Sequence, residues 1–598
     1  MSLEALDSLL EWGQQNHVKI PQNVEFVYDE LRGIHCKSKD MVTDVLKFEL
    51  PHNVILTGVL AEKVFGTNNT TWCKFLLAKL MFDKDATLCD GTDLTEKFNP
   101  YLNALPKVVN SPLVWNPREL ELLRNTNLGN SIRGKLKSIY KEWYDVVSNM
   151  TNKKFFEVET ISHDISCYEN FEHISSERMY DDILSNTANK SPAVWYSFSA
   201  FLWSHLIFTS RAFPEYIINP ECDPFSVMLL PIVDLLNHDY QAKAEWSSNE
   251  DRSFCYKNLN ENLKAGDEVL NNYGAKGNEE LLSGYGFVLE NNICDSLLLK
   301  LKLPDDTIRD ILDYEPDIEL LTIDDYTTFA FETEMAQKAN ATNKKTVENF
   351  SDGIIYLINV QNPRATVLKL LKLFSYLKKC SGKESHKDLR ARFDGLHTLR
   401  GAIEQNLSAM KSEPVFTENY REKYDLNEYR LYCASEYRKG QEQVLKNTIS
   451  EIRAIEKEWL KENKHSLLSI NKILKNDTQF AENELSSLFQ GIDQEDVAFE
   501  STFDLLIIWI VAKAKYASFP SKYEWVGKQF NELHRVIGDA IDIDVQNDAS
   551  AFYEEFFTSK SEAILPPVTL DEIQRAFMFV KYNCFTRVSS DETILVKK

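Results

Sequence analysis

Paired cysteines, excess basic charge and long apolar runs are all missing from this sequence. Its ten Cys, at 36, 73, 89, 167, 222, 255, 294, 380, 433 and 584, form no CxxC pair, and no His/Cys cluster has zinc spacing. No secretory signal is expected, because Glu4, Asp7 and Glu11 fall within the first thirteen residues. The cysteines therefore read as thiols of a reducing compartment, the cytoplasm with the nucleus as the alternative. Lys and Arg number 67 against 91 Asp and Glu, a net charge of −24. That counts against binding a phosphate backbone and favours encounter with a basic partner. The two most apolar stretches, Ala193 to Phe208 and Leu505 to Ala512, are shorter than the ~20 residues a helix needs to cross a bilayer. Both are expected as buried helices, and no membrane partner is expected. GxxxxGK[ST], HExxH and GxSxG are absent, and no GxGxxG leads from a strand into a helix. P-loop, Rossmann, zinc-protease and serine-hydrolase chemistries lose their support.

The 598 residues, 43% hydrophobic and 26% charged, suit a globular chain of roughly three or four domain-sized units. Leu3 to Trp12 carries apolar residues at 3, 6, 9 and 10, the spacing of a short amphipathic helix. Val24, Phe26 and Tyr28 alternate with polar residues, Arg32-Gly33 interrupts and Ile34 resumes, which predicts a hairpin. Lys47 to Leu56 reads as a strand with Pro51 at a turn or edge. From Trp72 to Phe208 the pattern is helical, broken by a connection around Pro106, Pro112 and Pro117. Strand and turn signals return from Val227 to Leu289: the apolar run from Val227, then Phe254 and Tyr256, then a turn at Lys264 to Asp267 followed by a strand at Glu268 to Leu270. Beyond Lys302 the chain is expected to be nearly all helical. Its clearest helix is Tyr432 to Leu460, and Ser501 or Thr502 caps the buried helix at Leu505. The expected class is α+β followed by an all-α region, not alternating βαβ.

Two segments stand out as chemistry. Pro231-Ile-Val-Asp234-Leu-Leu-Asn237-His238-Asp239 puts a tight polar cluster after an apolar run. Asn271-Asn-Tyr273-Gly through Asn278-Glu-Glu-Leu281 to Tyr285-Gly-Phe287 sets two Tyr and four Gly around a short helical turn. Taken singly, each is a turn at a strand end. Taken in order with Ser210-Arg211-Ala212-Phe213 and Glu30-Leu31-Arg32-Gly33-Ile34, they resemble the SET-domain protein lysine methyltransferases, in the branch with a helical insert typified by the Rubisco large-subunit methyltransferase. Tyr437-Arg438-Lys439-Gly440-Gln441 resembles a helix motif of the same branch.

The resemblance implies S-adenosyl-L-methionine as cofactor and no metal. It implies a pseudoknotted, β-rich SET domain in two parts, 1–66 and 210–300, around a helical insert at 67–209. A helical substrate-binding domain at 301–465 and a helical extension at 466–598 follow. It also implies that residues 234 to 238 lie beside 273 to 287. Tyr273 is then the catalytic tyrosine, orienting donor and amine. Glu30, Leu31, Arg32, Arg211, Asp234, Asn237, His238 and Tyr273 hold the cofactor, with Arg211 on its carboxylate. Phe213, Tyr285 and Phe287 line the channel for the substrate lysine. The expected partner is a basic protein, a large-subunit ribosomal protein, acted on by a monomer without nucleic acid. The alternatives are the same chemistry on cytochrome c, an elongation factor or a histidine, and a SET-like scaffold without catalysis.

Overall fold

The computed structural model describes residues 3–29, 33–83, 86–88, 90–189, 191–260, 262–326, 345–378, 388–411, 420, 423–424, 426–484, 502–537, 543–557, 568–587, 590 and 592–597. The principal helices are α1 (Leu3–Gln15), α2 (Thr70–Phe82), α3 (Leu94–Ala104), α4 (Asn127–Ser148), α5 (Ser162–Glu169), α6 (Phe198–Arg211), α7 (Pro363–Leu377), α8 (Leu389–Lys411), α9 (Glu428–Glu462), α10 (Thr502–Lys515) and α11 (Leu570–Asn583). Polar residues start several of them by accepting a free first-turn N–H: Asn69 before α2, Asp93 before α3, Thr126 before α4, Ser197 before α6 and Asn427 before α9. Among the described residues no helix is long and apolar enough to cross a membrane.

Strands β1 (Val24–Asp29) and β2 (Gly33–Ser38) form the predicted hairpin, in the register Val24↔Ser38 to Asp29↔Gly33. Gly33 takes φ +67° as the chain leaves the turn, a conformation that costs glycine little. β3 (Leu46–Leu50) pairs antiparallel with β7 (Phe254–Asn258), which pairs in turn with β6 (Ala244–Ser248). β4 (Ala212–Pro214) pairs with β5 (Val227–Leu229). β3 stops at Leu50 instead of running to Leu56. Pro51 has no N–H for a ladder, and a 3₁₀ turn at His52–Val54 follows it. Glu268 to Leu270 does not make a full strand. It leans on β2 through one bridge, Lys37↔Glu268, with Gly266 and Val269 donating to the carbonyls of Ser38 and Cys36.

One apolar core runs from α1 through the hairpin, the helices of residues 67–209 and the strands to Val288 and takes in Leu431, Cys433, Ala434 and Tyr437 of α9, so residues 67–209 share their interior with the segments on either side. A second core joins residues 297 to 459 and a third joins 468 to 595. The expectation of an all-α second half is corrected by two small sheets. β8 (Ser296–Leu301) pairs with β9 (Ile354–Asn359), and β12 (Glu592–Val596) lies between β10 (Leu467–Ser469) and β11 (Cys584–Arg587). Both sheets are built from short runs such as Ile-Ile-Tyr-Leu-Ile, whose β-branched and aromatic side chains fit a pleat. A small fourth cluster of Phe393, Leu467, Phe585, Ile594 and Val596 is separate from the second and third cores, and in it Phe393 of α8 stacks on Phe585 of β11, 4.2 Å apart and nearly coplanar.

α9 is the brace of the molecule. Its Tyr437 hydroxyl donates to Glu279 at 3.0 Å, and Gln441 donates to the Ser296 carbonyl at 2.8 Å. The buried Arg438 guanidinium donates to the carbonyls of Leu122, Arg124 and Met410. The motif read in sequence as a helix signature thus locks three separate stretches of chain together. Gly440 belongs to it for lack of space, because a Cβ there would lie 2.0 Å from Asp295 Oδ2. Gly440→Ala is therefore expected to lower unfolding free energy by about 1–3 kcal/mol, the usual range for overpacking. Denaturant unfolding measures it; a change near zero would mean Asp295 moves aside freely.

Candidate active site

The apolar run from Val227 fills β5 and the turn after it. Ile232, fully buried, is held at φ +75° and ψ −49°, a conformation rarely taken by a β-branched residue and costing about 1–3 kcal/mol. This reversal throws Val233–Leu235 into a 3₁₀ turn and aims Asp234 inward. The Asp234 side chain is wholly buried. Its Oδ2 accepts from the Tyr101 hydroxyl of α3 at 2.9 Å and lies 3.4 Å from Arg211 Nη1, which also donates to the Asp234 carbonyl at 2.9 Å. Arg211 ends α6, where a cation meets the negative end of the helix, and the next residue opens β4. Burial pushes the Asp234 carboxyl up, and Arg211 and Tyr101 pull against it.

The two expected segments lie side by side. Asn271 N–H donates to the Asn237 carbonyl at 2.7 Å, and Asp239 N–H donates back to the Asn271 carbonyl at 3.0 Å, a parallel bridge between His238 and Asn271. Two residues on, the Tyr273 N–H donates to His238 Nδ1 at 3.1 Å and the Tyr273 hydroxyl donates to the Leu236 carbonyl at 2.7 Å. The rings form a column. Tyr273 stacks on His238 at 4.8 Å and on Tyr285 at 5.1 Å, and Phe287 meets Tyr285 edge-on at 6.2 Å. Burial raises the Tyr273 and Tyr285 phenols well above their ordinary value, so both stay protonated at neutral pH. The ammonium of Lys276, ion-paired to Glu280, lies over the Tyr285 ring at 5.8 Å.

His238 is pushed down to about 4, chiefly by burial, so it is neutral at physiological pH. Because its Nδ1 accepts, its proton is on Nε2. That Nε2, Nδ2 of Asn271 and Oδ1 of Asp234 are buried polar atoms with no partner among the described residues. Such groups cost about 1–3 kcal/mol each when left unpaired, and together they suit a polar ligand. Asn271 is oriented by its Oδ1, which accepts from Trp246 Nε1 at 3.0 Å and from Asn272 N–H at 2.9 Å. Asn237 donates to Glu268 at 2.8 Å.

Of the residues picked from the sequence, Arg211 and Asp234 meet, and His238, Tyr273, Tyr285 and Phe287 meet. Phe213 packs edge-on against Trp246 and Phe254. Glu30, Leu31 and Arg32 lie outside the described residues. Tyr101, Trp246 and Asn271 were not singled out. A lone Tyr on a helix gives no signal of a carboxylate 133 residues away. Asn271 opens a quoted motif, and its complete burial could not be read there. Two residues between α3 and α4 close the far end of the site: Asn110 donates to the Gly286 carbonyl at 3.0 Å and Ser111 to the Ser283 carbonyl at 2.6 Å. Gly286, at φ +80°, has the Asn110 backbone 3.0 Å from where a Cβ would be.

His205, on the buried side of α6, lies 4.0 Å from Glu142, whose carboxylate is taken by Lys74. Burial, with Lys74 adding to it, lowers the ring to about 3. The folded ring refuses a proton that the unfolded ring takes near its ordinary value of 6.5. Stability is therefore lost as pH falls below that value, by about 2 kcal/mol at about pH 5 from this residue. His205→Leu should lose less of its thermal midpoint than the parent between about pH 7.5 and about pH 5. Equal losses would mean the buried ring does not resist protonation.

Residues 326–463 match the EFM1 middle domain family. Protein-lysine N-methyltransferase EFM1 of Saccharomyces cerevisiae is 26% identical over 586 residues, covering 94% of this chain and 91% of that one. The solved SET domain of LSMT bound to lysine and AdoHcy superposes with a TM-score of 0.49 at 17% identity, over 77% of this chain and 93% of that one. The chain belongs to the SET-domain protein-lysine N-methyltransferases. The relative that establishes this is ribosomal lysine N-methyltransferase 1 of Saccharomyces cerevisiae, 44% identical over 609 residues and spanning the whole of both chains.

Proposed function

We propose that the chain uses S-adenosyl-L-methionine to methylate lysine on a basic large-subunit ribosomal protein, with Tyr273 as the residue at the reacting atoms. The observation that carries the assignment is the ring column, with Tyr273 held between His238 and Tyr285 by a hydroxyl bond to the Leu236 carbonyl. The cofactor supplies an electrophilic methyl group on a sulfonium. His238 Nε2–H, Asn271 Nδ2, the Asn237 region and the guanidinium N–H groups of Arg211 not given to Asp234 are the donors that fit its adenine and amino-acid ends. Glu30, Leu31 and Arg32 are assigned to the same group by resemblance. Asp234 fixes Arg211.

The lysine must reach the site as a neutral amine. At pH 7 an ordinary lysine costs about 4.6 kcal/mol to deprotonate. A dry aromatic passage lowers that cost, because it disfavours the ammonium. We assign Tyr285 and Phe287 to the wall of that passage, and Phe213 to its support through Trp246. Tyr273 donates its own proton to Leu236, so its oxygen lone pairs are free to accept an amine N–H and aim the nitrogen lone pair. Positioning of this kind is the main source of rate in such a transfer.

The ribosomal assignment draws on the name of the relative and on the net charge of −24, which attracts a basic protein. Residues 1–66 and 210–300 are the SET parts in this reading, 67–209 the insert, 301–465 the part that presents substrate and 466–598 an extension. The chain is placed in the cytoplasm as a monomer; the eight described cysteines are free thiols, as a reducing compartment requires. The test is labelled methyl transfer to purified ribosomal subunits from cells lacking the protein, beside cytochrome c and elongation factors. Label on one small basic protein of the large subunit is expected. Label only on another substrate class would overturn the ribosomal assignment and keep the chemistry.

A further inference from the structure

The insert carries a second cluster of chemical side chains, remote in sequence from the residues of the ring column. α5 places His163 and Cys167 one turn apart on the same face. The chain then loops back through a short helix at Ser176–Met179 into a π-turn at Tyr180–Leu184. A π-turn holds one residue more than an α-helical turn and re-aims what it carries; such turns recur at functional sites. Here it brings Asp182 to the imidazole. Cys167 Sγ lies 3.6 Å from His163 Nε2, and Asp182 Oδ2 lies 3.4 Å from that same nitrogen. All three donor atoms are within 4.8 Å of one another.

The shared nitrogen decides between two readings. A nucleophilic Cys–His–Asp relay needs the thiol on one ring nitrogen and the carboxylate on the other, so that a proton can pass across the ring. Here thiol and carboxylate converge on Nε2, and no relay exists. Convergence is the geometry of chelation. Zinc holds sulfur at about 2.3 Å, imidazole nitrogen at about 2.0–2.1 Å and carboxylate oxygen at about 2.0–2.2 Å. At a tetrahedral angle those lengths put S···N at about 3.6 Å and N···O at about 3.4 Å, the two separations observed.

We propose that His163 Nε2, Cys167 Sγ and a carboxylate oxygen of Asp182 form a site for Zn²⁺ or a divalent ion of similar softness, clamping α5 to the π-turn. Cys167 binds as the thiolate, its proton passing to solvent. The buried thiol supplies the fixed ligand, while His163 and Asp182, 56% and 30% exposed, face water and leave a fourth position for it. Arg178, whose Nε donates to Asp182 Oδ2 at 3.3 Å, is 69% exposed and has solvent to swing into. The family resemblance implies no metal, and the search for zinc spacing among Cys and His finds none. A His–Cys pair at i, i+4 with its third donor fifteen residues on is not a spacing that such a search contains.

The experiment uses the full chain, stripped with a chelator and titrated with Co²⁺. A thiolate-to-cobalt charge-transfer band and the visible bands of tetrahedral Co²⁺ are expected, saturating at one equivalent and displaced by Zn²⁺. His163→Ala and Cys167→Ser should abolish the charge-transfer band, and Asp182→Asn, which keeps an oxygen but loses the charge, should weaken binding about tenfold or more, a loss that changes outside the ligand set already reach. Methyl transfer and metal-free thermal unfolding should be unchanged in the three variants, which shows that the fold survives. No thiolate band in the parent, or a band undiminished in His163→Ala, would overturn the site. Neither result touches the methyltransferase reading.

Discussion

Tyr273→Phe is expected to lower kcat for methyl transfer by about 100-fold or more, the loss typical when a group placed at the reacting atoms is removed. The ring remains, so the stacks on His238 and Tyr285 survive. What goes is the hydroxyl oxygen that aims the amine and its bond to the Leu236 carbonyl. The missing bond leaves a buried acceptor and costs stability by about 1–3 kcal/mol, so rates are to be compared well below the unfolding transition. Binding of S-adenosylhomocysteine should change much less than kcat. Since the buried phenol stays protonated at neutral pH, Tyr273 acts as an acceptor, not as a base, and the residual rate of the variant should keep the parent's pH profile. Turnover within about twofold of the parent would remove Tyr273 from the reacting centre.

The largest loss of stability is expected at Asp234. Asp234→Ala leaves the Arg211 guanidinium, 19% exposed, without its counter-charge, and breaking one side of a buried pair costs about 3–5 kcal/mol. Tyr101→Phe, which removes one hydrogen bond from the same carboxylate, should cost nearer 1 kcal/mol. Replacing both partners with apolar side chains, Asp234→Leu with Arg211→Met, should be milder than Asp234→Ala alone, because no charge is left buried. Denaturant unfolding of the four proteins gives the comparison. An Asp234→Ala loss below about 1 kcal/mol would mean that the pair does not hold the turn.

These residues also mark how far the sequence could be read. Asp234, Asn237, His238 and the run from Tyr273 to Phe287 were legible because each lies in a short ordered pattern, and their adjacency follows from the backbone bonds that join Asn237 and Asp239 to Asn271 and from the Tyr273 N–H on the His238 ring. Arg211 was legible as a cation near the site, but its commitment to Asp234 was not: the two are 23 residues apart and their meeting depends on the reversal at Ile232. Tyr101 carried no pattern at all. The helical half was read from its periodicity, which is strong in α9, while β9 and β12 are five or six residues long and too short to show a period beside it. Gly440 and Tyr437 looked like parts of a helix signature. Only the fold shows them bearing on Asp295 and Glu279, and so on the segment that ends in the ring column.

Calorimetric titration of the full chain with S-adenosylhomocysteine tests most directly whether the cofactor binds beside His238 and Tyr273. Saturable binding of one equivalent is predicted. In His238→Phe, which keeps a ring against Tyr273 but removes the Nε2–H donor, affinity should fall by about tenfold or more, the cost of one buried hydrogen bond. Absence of binding by the folded parent, or equal affinity in the variant, would contradict the account.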